Sequence, residues 1–428
     1  MRGAYRARRN WENNMLIVQK YGGSSLADAD KIRNVAKRIA RSRDAGNSVI
    51  TVVSAMGDTT DDLIDLANEI SNRPDAREMD VLLSTGELVS CTLMAMALRS
   101  MGYASVSLSG AQAGIRTDSS YGRARIAGVS PERIIGEVDA GNIVIVAGFQ
   151  GITEDLDITT LGRGGSDTTA VAIAAGVEAD RCEVYTDVDG IYTADPRLVP
   201  TARKLDEVGF EEMLELASYG AKMNPRSIEM GMHYNVPILV ASSFTDAAGT
   251  LIHGDIHGDS DMNSNVGEIR NRVRGIATDT NVAKITVLGV IDRPGIAASL
   301  FEPLAEADIS VDVIVQNASV DGTTDMTFTV TRTDLDRALD VVEPVIRELG
   351  SRGTISDDTL AKLSIVGSGM QDAPGYASQM FRALAGKGIN IDAITTSEIR
   401  ITCLISESQI AEAACALHDA FHLDLPRE

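Results

Sequence analysis

The chain is poor in cysteine, in long apolar runs and in positive charge. Its four cysteines, Cys91, Cys182, Cys403 and Cys415, are scattered, with no CxxC pair. This pattern favours a reducing compartment and argues against a structural zinc site. The sequence predicts no membrane-spanning run, and its basic start MRGAYRARRNWENN has no apolar segment behind it, so no secretory signal is expected.

Positive charge is scarce, since 39 Lys and Arg stand against 61 Asp and Glu, for a formal net charge of -22. Binding to nucleic acid needs clustered positive charge, so we expect no nucleic-acid partner. The GxxxxGK[ST] loop and the HRD/DFG pair are also missing. A phosphotransferase with this sequence would therefore belong neither to the P-loop class nor to the protein-kinase class.

At 428 residues, the chain is predicted to hold two or three domains. In 15–250, helical patterns at 79–98 and 210–219 alternate with apolar β-branched runs, which lie at 49–53, 143–147, 184–186 and 236–240. This alternation predicts an α/β domain with a largely parallel sheet covered by helices on both faces. Residues 1–14 are expected to be a disordered arm or a misassigned start, and 251–271, rich in Gly, Asp and Ser, to be a linker.

An internal repeat follows the linker. Pro294-Gly295, Phe301, Leu304, Ile309, Asp312 and Ile314 recur 80 residues later as Pro374-Gly375, Phe381, Leu384, Ile389, Asp392 and Ile394. Each copy predicts a ferredoxin-like βαββαβ domain, over 272–358 and 359–428. A spare strand, 272–277, precedes the first copy, and the second copy lacks a clear closing strand. We therefore expect the spare strand to complete the second sheet.

The first apolar strand runs directly into Lys20-Tyr21-Gly22-Gly23. A lysine and two glycines at a strand end can bring one positive charge and main-chain N–H groups against an anion, and glycine allows a turn with positive φ. Helical patterning resumes at Asp28, so the turn also faces the positive end of a helix dipole. The motif predicts a phosphate site, although strand-Gly-Gly-helix turns are common in α/β folds.

A second glycine-rich loop contains Gly162-Arg163-Gly164-Gly165-Ser166-Asp167. An arginine between glycines has room to present its fork to a carboxylate or phosphate. The alternative is a structural one, in which Ser166 or Asp167 caps a helix at 168–175. We expect this capping in either case, although it leaves the glycines around the arginine unexplained.

Three further polar positions are candidates for the site. Thr186-Asp187 ends a strand where open α/β sheets place ligands, although a plain polar loop with an Asp-Pro turn is the alternative. The aspartate spacing there does not fit an EF-hand. The run SAMGDTT, 54–60, follows the second strand. Glu87 lies in an apolar helical region, where it either needs a cationic partner or occupies a solvated helix face.

Taken in order, KYGGSS, SAMGDTT, TGE, GRGGSD, TDVDGIYTADPR and GAK, followed by two repeats similar to ACT domains, resemble aspartate kinases of the monofunctional actinobacterial type. The resemblance runs from Met15 to the C-terminus, and it departs from the family at Met223-Asn224. It implies an amino-acid-kinase fold and transfer of the γ-phosphoryl of Mg-ATP to the β-carboxylate of L-aspartate. The product would be 4-phospho-L-aspartate, at the entry to lysine, threonine and methionine biosynthesis in the cytoplasm.

The resemblance also implies residue roles. Lys20 and Asp167 would serve the transfer step, with Asp167 orienting Lys20. Aspartate would be held by Ser54, Thr60, Glu87, Arg163, Gly164, Gly165 and Ser166. ATP would be held by Lys20, Tyr21, Gly22, Gly23, Thr186, Asp187, Tyr192, Arg197, Lys222 and Met223, with Mg²⁺ bound through the phosphates and no protein metal site. Because the carboxylate nucleophile is already an anion, the main requirement is neutralisation of phosphoryl charge.

The ACT-like repeats are expected to bind inhibitory end products, lysine and/or threonine. The expected residues are Asp292, Arg293, Pro294, Gly295, Ile296, Ala297, Ser310, Val311, Asp312, Gln316 and Asn317 in the first repeat, and Tyr376, Ala377, Asn390, Ile391, Ser397 and Glu398 in the second. Helix-start N–H groups can take a carboxylate, and Asp292 can take an ammonium, although helix capping and edge-strand pairing are the alternative. A homo-oligomer through these repeats is expected, and a shorter ACT-only subunit is a candidate partner.

Two other interpretations remain open at this point. One is another amino-acid kinase, similar to glutamate 5-kinase or acetylglutamate kinase, which the paired repeats and the KYGG form of the lysine loop disfavour. The other is a non-catalytic amino-acid sensor on the same fold. The presence of Lys20, Arg163 and Asp167 argues against a sensor that has lost turnover.

Overall fold

The computed structural model describes residues 15–218, 223–254, 273–316, 322–368, 370 and 374–425. Among these, 15–191, 204–218 and 223–254 form a first compact unit, and 192–203 with the residues from 273 onward form a second. The expected N-terminal arm, most of the expected linker, Lys222 and Asn317 lie outside the described residues.

The first unit alternates strands and helices along the chain. Its strands are β1 (Leu16–Tyr21), β2 (Ser48–Val53), β3 (Ser105–Leu108), β4 (Ile115–Thr117), β5 (Ile126–Val129), β6 (Ile143–Ala147), β7 (Gln150–Ile152), β8 (Ile158–Thr160), β9 (Arg181–Thr186), β10 (Glu207–Gly209), β11 (Ile238–Ser242) and β12 (Thr250–His253). Its helices are α1 (Ala29–Asp44), α2 (Thr59–Ile70), α3 (Ala76–Ser100), α4 (Glu132–Asp139), α5 (Gly165–Gly176), α6 (Phe210–Ser218) and α7 (Pro225–Tyr234).

The main sheet of this unit has eight strands in the order β10-β12-β11-β9-β1-β2-β6-β3. Every neighbouring pair is parallel except β11 and β12. Strands β2 and β6 are buried at every position, which explains their unbroken apolar sequences. The predicted largely parallel sheet is confirmed. Its strand β12 extends to His253, so the linker cannot begin at 251 as expected.

Strand β1 places alternate side chains on opposite faces of the main sheet. Tyr21 joins a core cluster with Ile32 of α1 and Met94 of α3. Lys20, one residue earlier, points to the opposite face, where α5 packs on β1 and supplies Asp167. The alternation of side chains along β1 therefore places Lys20 against α5, the helix that follows the second glycine-rich loop.

Two features of the first unit differ from expectation. A four-stranded sheet in the order β5-β4-β7-β8 was not predicted, because its strands have only three or four residues and show no clear alternation. Helix α3 is, by length and composition, apolar enough to cross a membrane, contrary to the prediction that no run reaches this length. Half of that apolar stretch is buried inside the protein, as in the core helix of a folded domain.

The second unit contains two similar four-stranded sheets with the orders β15-β16-β14-β17 and β13-β18-β20-β19. The strands are β13 (Gly275–Asp279), β14 (Ala283–Ile291), β15 (Ile314–Gln316), β16 (Thr323–Val330), β17 (Gly353–Asp357), β18 (Leu360–Val366), β19 (Ala393–Thr396) and β20 (Arg400–Ser406), and the helices are α8 (Ile296–Glu306), α9 (Leu335–Leu349), α10 (Tyr376–Gly386) and α11 (Ile410–Ala420). Helices α8 and α10 follow Gly295 and Gly375, both with positive φ, so the repeat is structural as well as sequential.

The spare strand behaves as predicted. In the first repeat β17 pairs antiparallel with β14, whereas in the second repeat β13 pairs antiparallel with β18. A strand that precedes the first repeat thus closes the sheet of the second. The two repeats are interleaved along the chain, and neither boundary at 272 nor at 359 separates their sheets.

Segment 192–203 was expected within the 15–250 domain, but its side chains belong to the core of the second unit. Ala194 and Val199 are buried in a cluster with Ile276 of β13 and Leu417 of α11. The main-chain N–H of Ile276 also donates to the carbonyl oxygen of Thr193 at 2.7 Å. Along the chain, the residues on both sides of this segment belong to the first unit, whereas the segment itself packs with the repeats.

Candidate active site

Lys20 and Asp167 form an ion pair at the C-terminal end of β1. The Lys20 Nζ lies 2.6 Å from the Asp167 Oδ1, and the two side chains are 11% and 10% exposed. A carboxylate in this position fixes the direction of the ammonium and compensates its charge in the absence of an anion. The expected partnership between these residues is thus present in the geometry.

The start of α5 corrects one expectation. The residue before the helix is Gly164, with φ 77°, and no side chain caps the helix. Ser166 and Asp167 lie inside the first turn, so the predicted capping by either residue is wrong. A β-carbon at Gly164 would lie 2.3 Å from the Asn224 Nδ2, so glycine is required both by the backbone angle and by this close approach.

Gly22 and Gly23 are required for close packing, and the predicted positive φ is wrong for both. Gly22 has φ -75°, and neither glycine is among the residues with positive φ. A β-carbon at Gly23 would lie 2.8 Å from the Ala55 carbonyl oxygen, and one at Gly22 would lie 3.5 Å from the Lys20 Nζ. The missing side chains leave room above the lysine for an anionic group, and this cradle fits a nucleotide phosphate.

The helix dipole expected near this loop comes from two elements. A 3₁₀ turn, Gly23–Ser25, directly follows Gly22, and α1 starts only at Ala29. Asp28 caps α1 by accepting a hydrogen bond from the Lys31 N–H at 2.8 Å. The N-terminus of α1 is therefore already occupied by a side chain, and the short turn lies closer along the chain to Lys20.

Glu87 is buried, which rules out the solvated helix face. It is 3% exposed on α3, and its Oε1 accepts a hydrogen bond from the Ala55 N–H at 3.1 Å. Its Oε2 is buried without a hydrogen-bond partner among the described residues. Burial raises the pKa of Glu87 to about 7, an effect that the Ala55 N–H reduces. A buried carboxylate with one oxygen that has no partner is suited to pair with a cationic group of a ligand.

Helix α3 also holds the loop after β2. The Ser90 hydroxyl donates to the Ser54 carbonyl oxygen at 2.6 Å. A β-carbon at Gly86 would lie 3.0 Å from the Ala55 Cβ, so the glycine of the TGE motif lets the helix approach the loop. Ser54 and Thr60 are partly exposed at this loop and at the start of α2. The contacts connect Lys20, Gly23, Ala55 and Glu87 into one continuous site.

Arg163 extends outward from the glycine-rich loop. Its side chain is 93% exposed and its Nη2 lies 3.3 Å from the Asp61 Oδ1. The Asn224 Nδ2 donates to the Arg163 carbonyl oxygen at 2.9 Å, so the loop is held by its backbone while the guanidinium stays accessible. Ser166, in contrast, is buried, and its hydroxyl lies so close to Gly148 that a β-carbon there would be 2.8 Å away.

Thr186 lies at the end of β9 beside the lysine loop. The Gly22 N–H donates to the Tyr185 carbonyl oxygen at 3.3 Å. The Ser25 hydroxyl donates to the Ser243 hydroxyl at 2.7 Å, and the Ser243 N–H donates to the Thr186 carbonyl oxygen at 2.9 Å. Ser243 was not predicted as a site residue, because it lies after β11 and only the parallel sheet brings it here.

Tyr21 contributes no side chain to this site. Its ring is fully buried and stacks on Tyr185 with centroids 4.9 Å apart, on the face opposite Lys20. Burial raises the pKa of the Tyr21 hydroxyl well above its ordinary value. Its carbonyl oxygen accepts a hydrogen bond from the Ser54 N–H at 3.1 Å. Any contact between Tyr21 and a ligand is thus restricted to the main chain.

The remaining expected ATP residues are dispersed. Asp187 is exposed after β9, and Met223 is buried at the first described position after the gap that contains Lys222. Tyr192 and Arg197 lie in segment 192–203 of the second unit, where the Arg197 Nη2 is 2.6 Å from the Asp195 Oδ2. The roles of these residues therefore remain predictions.

Two charged residues that support the loops, one fully buried and one partly buried, were missed. Asp80 of α3 is fully buried and accepts hydrogen bonds from the Thr160 N–H at 2.9 Å, the Thr160 hydroxyl at 2.6 Å and the Gly122 N–H at 3.0 Å. Arg226 donates to the Leu161 carbonyl oxygen at 2.8 Å. An aspartate seven positions before Glu87, on the same face of the helix, is the sequence signal that could have identified Asp80.

The residues expected to bind effectors mostly lie on the surface of the second unit. Those in the first repeat from Asp292 to Gly295, together with Ser310, Asp312 and Gln316, are exposed, as are Asn390, Ser397 and Glu398 in the second. Ile296 is buried, and Ala297, Val311, Tyr376, Ala377 and Ile391 are partly buried and pack against the repeat cores. The contacts that these residues make with other described residues do not indicate which ligand would bind at this surface.

Two reciprocal ion pairs join the repeats. The Lys362 Nζ of β18 lies 2.5 Å from the Asp312 Oδ2 of the first repeat, and the Lys284 Nζ of β14 lies 2.9 Å from the Asp392 Oδ1 of the second. Asp312 and Asp392 are equivalent positions of the internal repeat. Asp312, expected at an effector site, therefore already has a cationic partner.

Comparison with known proteins agrees with these features. Residues 15–242 match the amino acid kinase family, and residues 285–344 and 363–421 match the ACT domain. The chain is 51% identical over 412 residues to the aspartokinase of Mycolicibacterium smegmatis, covering 95% of this chain and 96% of the relative. The chain belongs to the aspartokinase family. The aspartokinase of Corynebacterium glutamicum is 50% identical over 412 residues, covering 95% of this chain and 96% of the relative.

Solved aspartokinase structures share the fold. Escherichia coli aspartokinase III in complex with aspartate and ADP superposes with a TM-score of 0.78 at 26% identity, covering 95% of this chain and 100% of that one. The same enzyme in complex with lysine and aspartate has a TM-score of 0.72 at 25% identity, covering 95% and 99%. The predicted amino-acid-kinase fold followed by ACT repeats is confirmed for this aspartokinase family member.

Proposed function

We propose that this chain is an ATP-dependent aspartate kinase that transfers the γ-phosphoryl group of ATP to the β-carboxylate of L-aspartate, giving 4-phospho-L-aspartate. The observation that carries the proposal is the Lys20–Asp167 pair, 2.6 Å apart beside the glycine cradle, in a chain 51% identical to an aspartokinase. This reaction would be the entry to lysine, threonine and methionine biosynthesis in the cytoplasm.

The transfer step depends on charge. Both reactants are anions, so the site has to lower their repulsion and hold the two oxygens in line. Lys20 lies next to the open space above Gly22, where its ammonium would neutralise an equatorial phosphoryl oxygen. Asp167 keeps that ammonium oriented and takes no proton from the nucleophile, which is already ionised. Mg²⁺, bound through the nucleotide phosphates, would supply further positive charge.

L-Aspartate offers an ammonium and two carboxylates, and the site has matching groups. The unpaired Glu87 Oε2 would accept the α-ammonium, and the exposed Arg163 fork would take the α-carboxylate in a bidentate pair. Ser54 and Thr60 after β2, together with Gly164, Gly165 and Ser166 at the start of α5, would hold the substrate between them. This arrangement would leave the β-carboxylate to approach Lys20.

ATP would lie along the C-terminal ends of β1 and β9. The N–H groups at Gly22 and Gly23 and the Lys20 ammonium would take its phosphates, and Thr186, Asp187, Tyr192, Arg197, Lys222 and Met223 would hold the rest of the nucleotide. The hydrogen bonds of Ser243 to Ser25 and Thr186 support this proposal, because they fix the lysine loop against the end of β9.

The ACT repeats would provide feedback inhibition by lysine and/or threonine, at a surface that includes Asp292 and the start of α8. Aspartokinase III from Escherichia coli has been solved with lysine, which supports an amino-acid effector for the family. We further propose a homo-oligomer formed through the repeats, and a shorter ACT-only subunit as a candidate partner.

The proposal is tested by ADP release with L-aspartate, L-glutamate and N-acetyl-L-glutamate as acceptors. We expect release that depends on L-aspartate and exceeds that with either alternative by at least about tenfold. Preference for a glutamate substrate would make the chain another amino-acid kinase. Binding of ATP and aspartate by calorimetry without ADP release would make it a sensor.

A further inference from the structure

Segment 192–203 is a closed loop with its own hydrogen bonds. The Thr193 N–H donates to the Arg203 carbonyl oxygen at 2.8 Å, and the Arg203 N–H donates to the Thr193 hydroxyl at 2.9 Å. The loop is therefore closed between Thr193 and Arg203, and Tyr192 stands directly before Thr193. Along the chain it follows β9, whose C-terminal end is where an open parallel sheet places ligands.

His418 of α11 holds both ends of this loop. Its ring is completely buried, with Nε2 2.9 Å from the Thr193 hydroxyl oxygen and Nδ1 3.3 Å from the Thr201 hydroxyl oxygen. A neutral imidazole has one donor and one acceptor, and a threonine hydroxyl can pair with either. One ring can therefore satisfy both hydroxyls, whereas an apolar side chain of similar size would leave them without this partner.

The charge of the ring follows from its surroundings. Burial lowers the pKa of His418 below its ordinary value, and the nearby carboxylates of Asp424 and Asp419 oppose this effect without cancelling it. The ring is therefore neutral at neutral pH, and its two hydrogen bonds persist without a counter-ion. Its role is one of geometry rather than of charge.

Two further contacts join the loop to the second ACT repeat. The Ile276 N–H of β13 donates to the Thr193 carbonyl oxygen at 2.7 Å, and the Cys415 Sγ of α11 donates to the Leu198 carbonyl oxygen at 3.3 Å. Together with the buried Val199, these contacts fix the main chain on both sides of Arg197. The conformation of the loop is therefore set by the repeat on which it packs.

We propose that His418 is a positioning residue for nucleotide binding, which holds the loop at Thr193 and Thr201 so that Tyr192 and Arg197 keep the conformation that binds ATP. This inference rests on the proposed function, which assigns both residues to ATP. It gives a residue of the second ACT repeat an effect on the affinity for ATP that is separate from any effector.

The test compares His418→Leu, which removes both hydrogen bonds, with His418→Gln, which keeps one amide in reach of Thr193. The matched control is Thr402→Val, which breaks the buried 2.7 Å hydrogen bond between Ser364 and Thr402 in the same repeat without touching the loop. Each full-length variant is measured for the KM of ATP, the KM of aspartate, kcat, and the affinity for Mg-ADP by calorimetry.

For His418→Leu we expect the KM of ATP and the Kd of Mg-ADP to rise about tenfold, equivalent to about 1.4 kcal/mol. The KM of aspartate should stay within about twofold, His418→Gln should restore part of the loss, and Thr402→Val should change neither KM, although it lowers the melting temperature. If His418→Leu does not fold, Thr193→Val and Thr201→Val serve in its place.

An unchanged KM of ATP in folded variants would overturn the inference, as would an equal rise in both KM values or the same rise in Thr402→Val. These outcomes differ from failure of the proposed function, which would appear in the unmodified protein as absence of aspartate-dependent ADP release. A wild-type protein that binds no Mg-ADP would overturn both.

Discussion

Glu87 accepts a hydrogen bond from the main-chain N–H of Ala55 at 3.1 Å through one oxygen, and its other oxygen is buried without a partner among the described residues. One carboxylate thus holds the loop after β2 and also keeps a free acceptor for a ligand. If Glu87 receives the α-ammonium of aspartate, as proposed, this arrangement links that recognition to the packing of α3 on the sheet and makes it dependent on pH.

The first prediction concerns that dependence. Burial raises the pKa of Glu87 to about 7, and only the ionised form attracts the α-ammonium of aspartate. The value of kcat/KM for aspartate should therefore rise with pH through about 7. The substitution Glu87→Gln should remove this rise of kcat/KM with pH. It should also raise the KM of aspartate far more than the KM of ATP. Steady-state kinetics from pH 5.5 to 8.5 provide the measurement, with exposed Glu69→Gln as control.

Stability should show the opposite trend. The folded-state pKa of Glu87 lies above its ordinary value of 4.5, so the folded protein holds this proton while the unfolded chain releases it. The free energy of unfolding contributed by Glu87 therefore falls as pH rises from about 4.5 to 7. Relative to wild type, Glu87→Gln should be more stable at pH 8 than at pH 5. An equal difference in the free energy of unfolding between Glu87→Gln and wild type at pH 5 and at pH 8 would contradict the raised pKa.

The second prediction concerns Arg163. A bidentate grip on the α-carboxylate cannot be reproduced by an ammonium, so Arg163→Lys should be nearly as damaging to the KM of aspartate as Arg163→Ala. Kinetics with saturating ATP measure this, and Arg33→Lys on the exposed face of α1 is the matched control. If the KM of aspartate in Arg163→Lys stayed close to that of wild type, Arg163 would act only through its positive charge and not through a bidentate pair.

The third prediction concerns feedback. Asp292 is exposed beside the start of α8 and remote in sequence from Lys20. Asp292→Ala should abolish inhibition by the end-product amino acid while leaving uninhibited turnover near wild type. In the wild-type protein, we expect a coupling free energy of about 1–3 kcal/mol between effector binding and substrate affinity or turnover. Calorimetry with lysine and threonine should show the loss of binding, and Asp340→Ala on α9 is the control. Unchanged effector affinity would place the site elsewhere.

The fourth prediction concerns the interleaved sheets. Residues 361–428 lack β13, which pairs along β18, whereas 281–358 contain all four strands β14 to β17 of the first sheet. The isolated 361–428 fragment should therefore show no cooperative unfolding, and 281–358 should unfold cooperatively. Thermal melts followed by circular dichroism compare the two. A stable, cooperative 361–428 domain would mean that β13 is dispensable.

Much of the fold was predictable because its signals are local. The β-branched runs of β2 and β6 marked buried parallel strands, and the Pro-Gly repeat located α8 and α10. The position of β13 was predictable because one strand was left over and one sheet lacked a strand. Strands β4, β5, β7 and β8 were not, because each is too short to show alternation.

The site was less predictable where its geometry depends on tertiary contacts. Lys20, Glu87 and Asp167 follow from residue type and motif. The close approach at Gly23, the role of Gly164 before α5 and the link from Ser243 to Thr186 arise from neighbours distant in sequence. The packing of segment 192–203 on the second repeat has no local signal, since Ala194 and Val199 are buried by β13 and α11.

The central claim is the formation of an acyl phosphate on the β-carboxylate of aspartate, with Lys20 stabilising the transfer. The most direct measurement traps the product with hydroxylamine and identifies the hydroxamate by mass spectrometry. We expect aspartate β-hydroxamate to form in amounts matching ADP release, with Lys20→Ala lowering kcat by about 10²–10³ and the surface variant Lys37→Ala leaving it unchanged. No hydroxamate despite ADP release, or wild-type kcat in Lys20→Ala, would contradict the account.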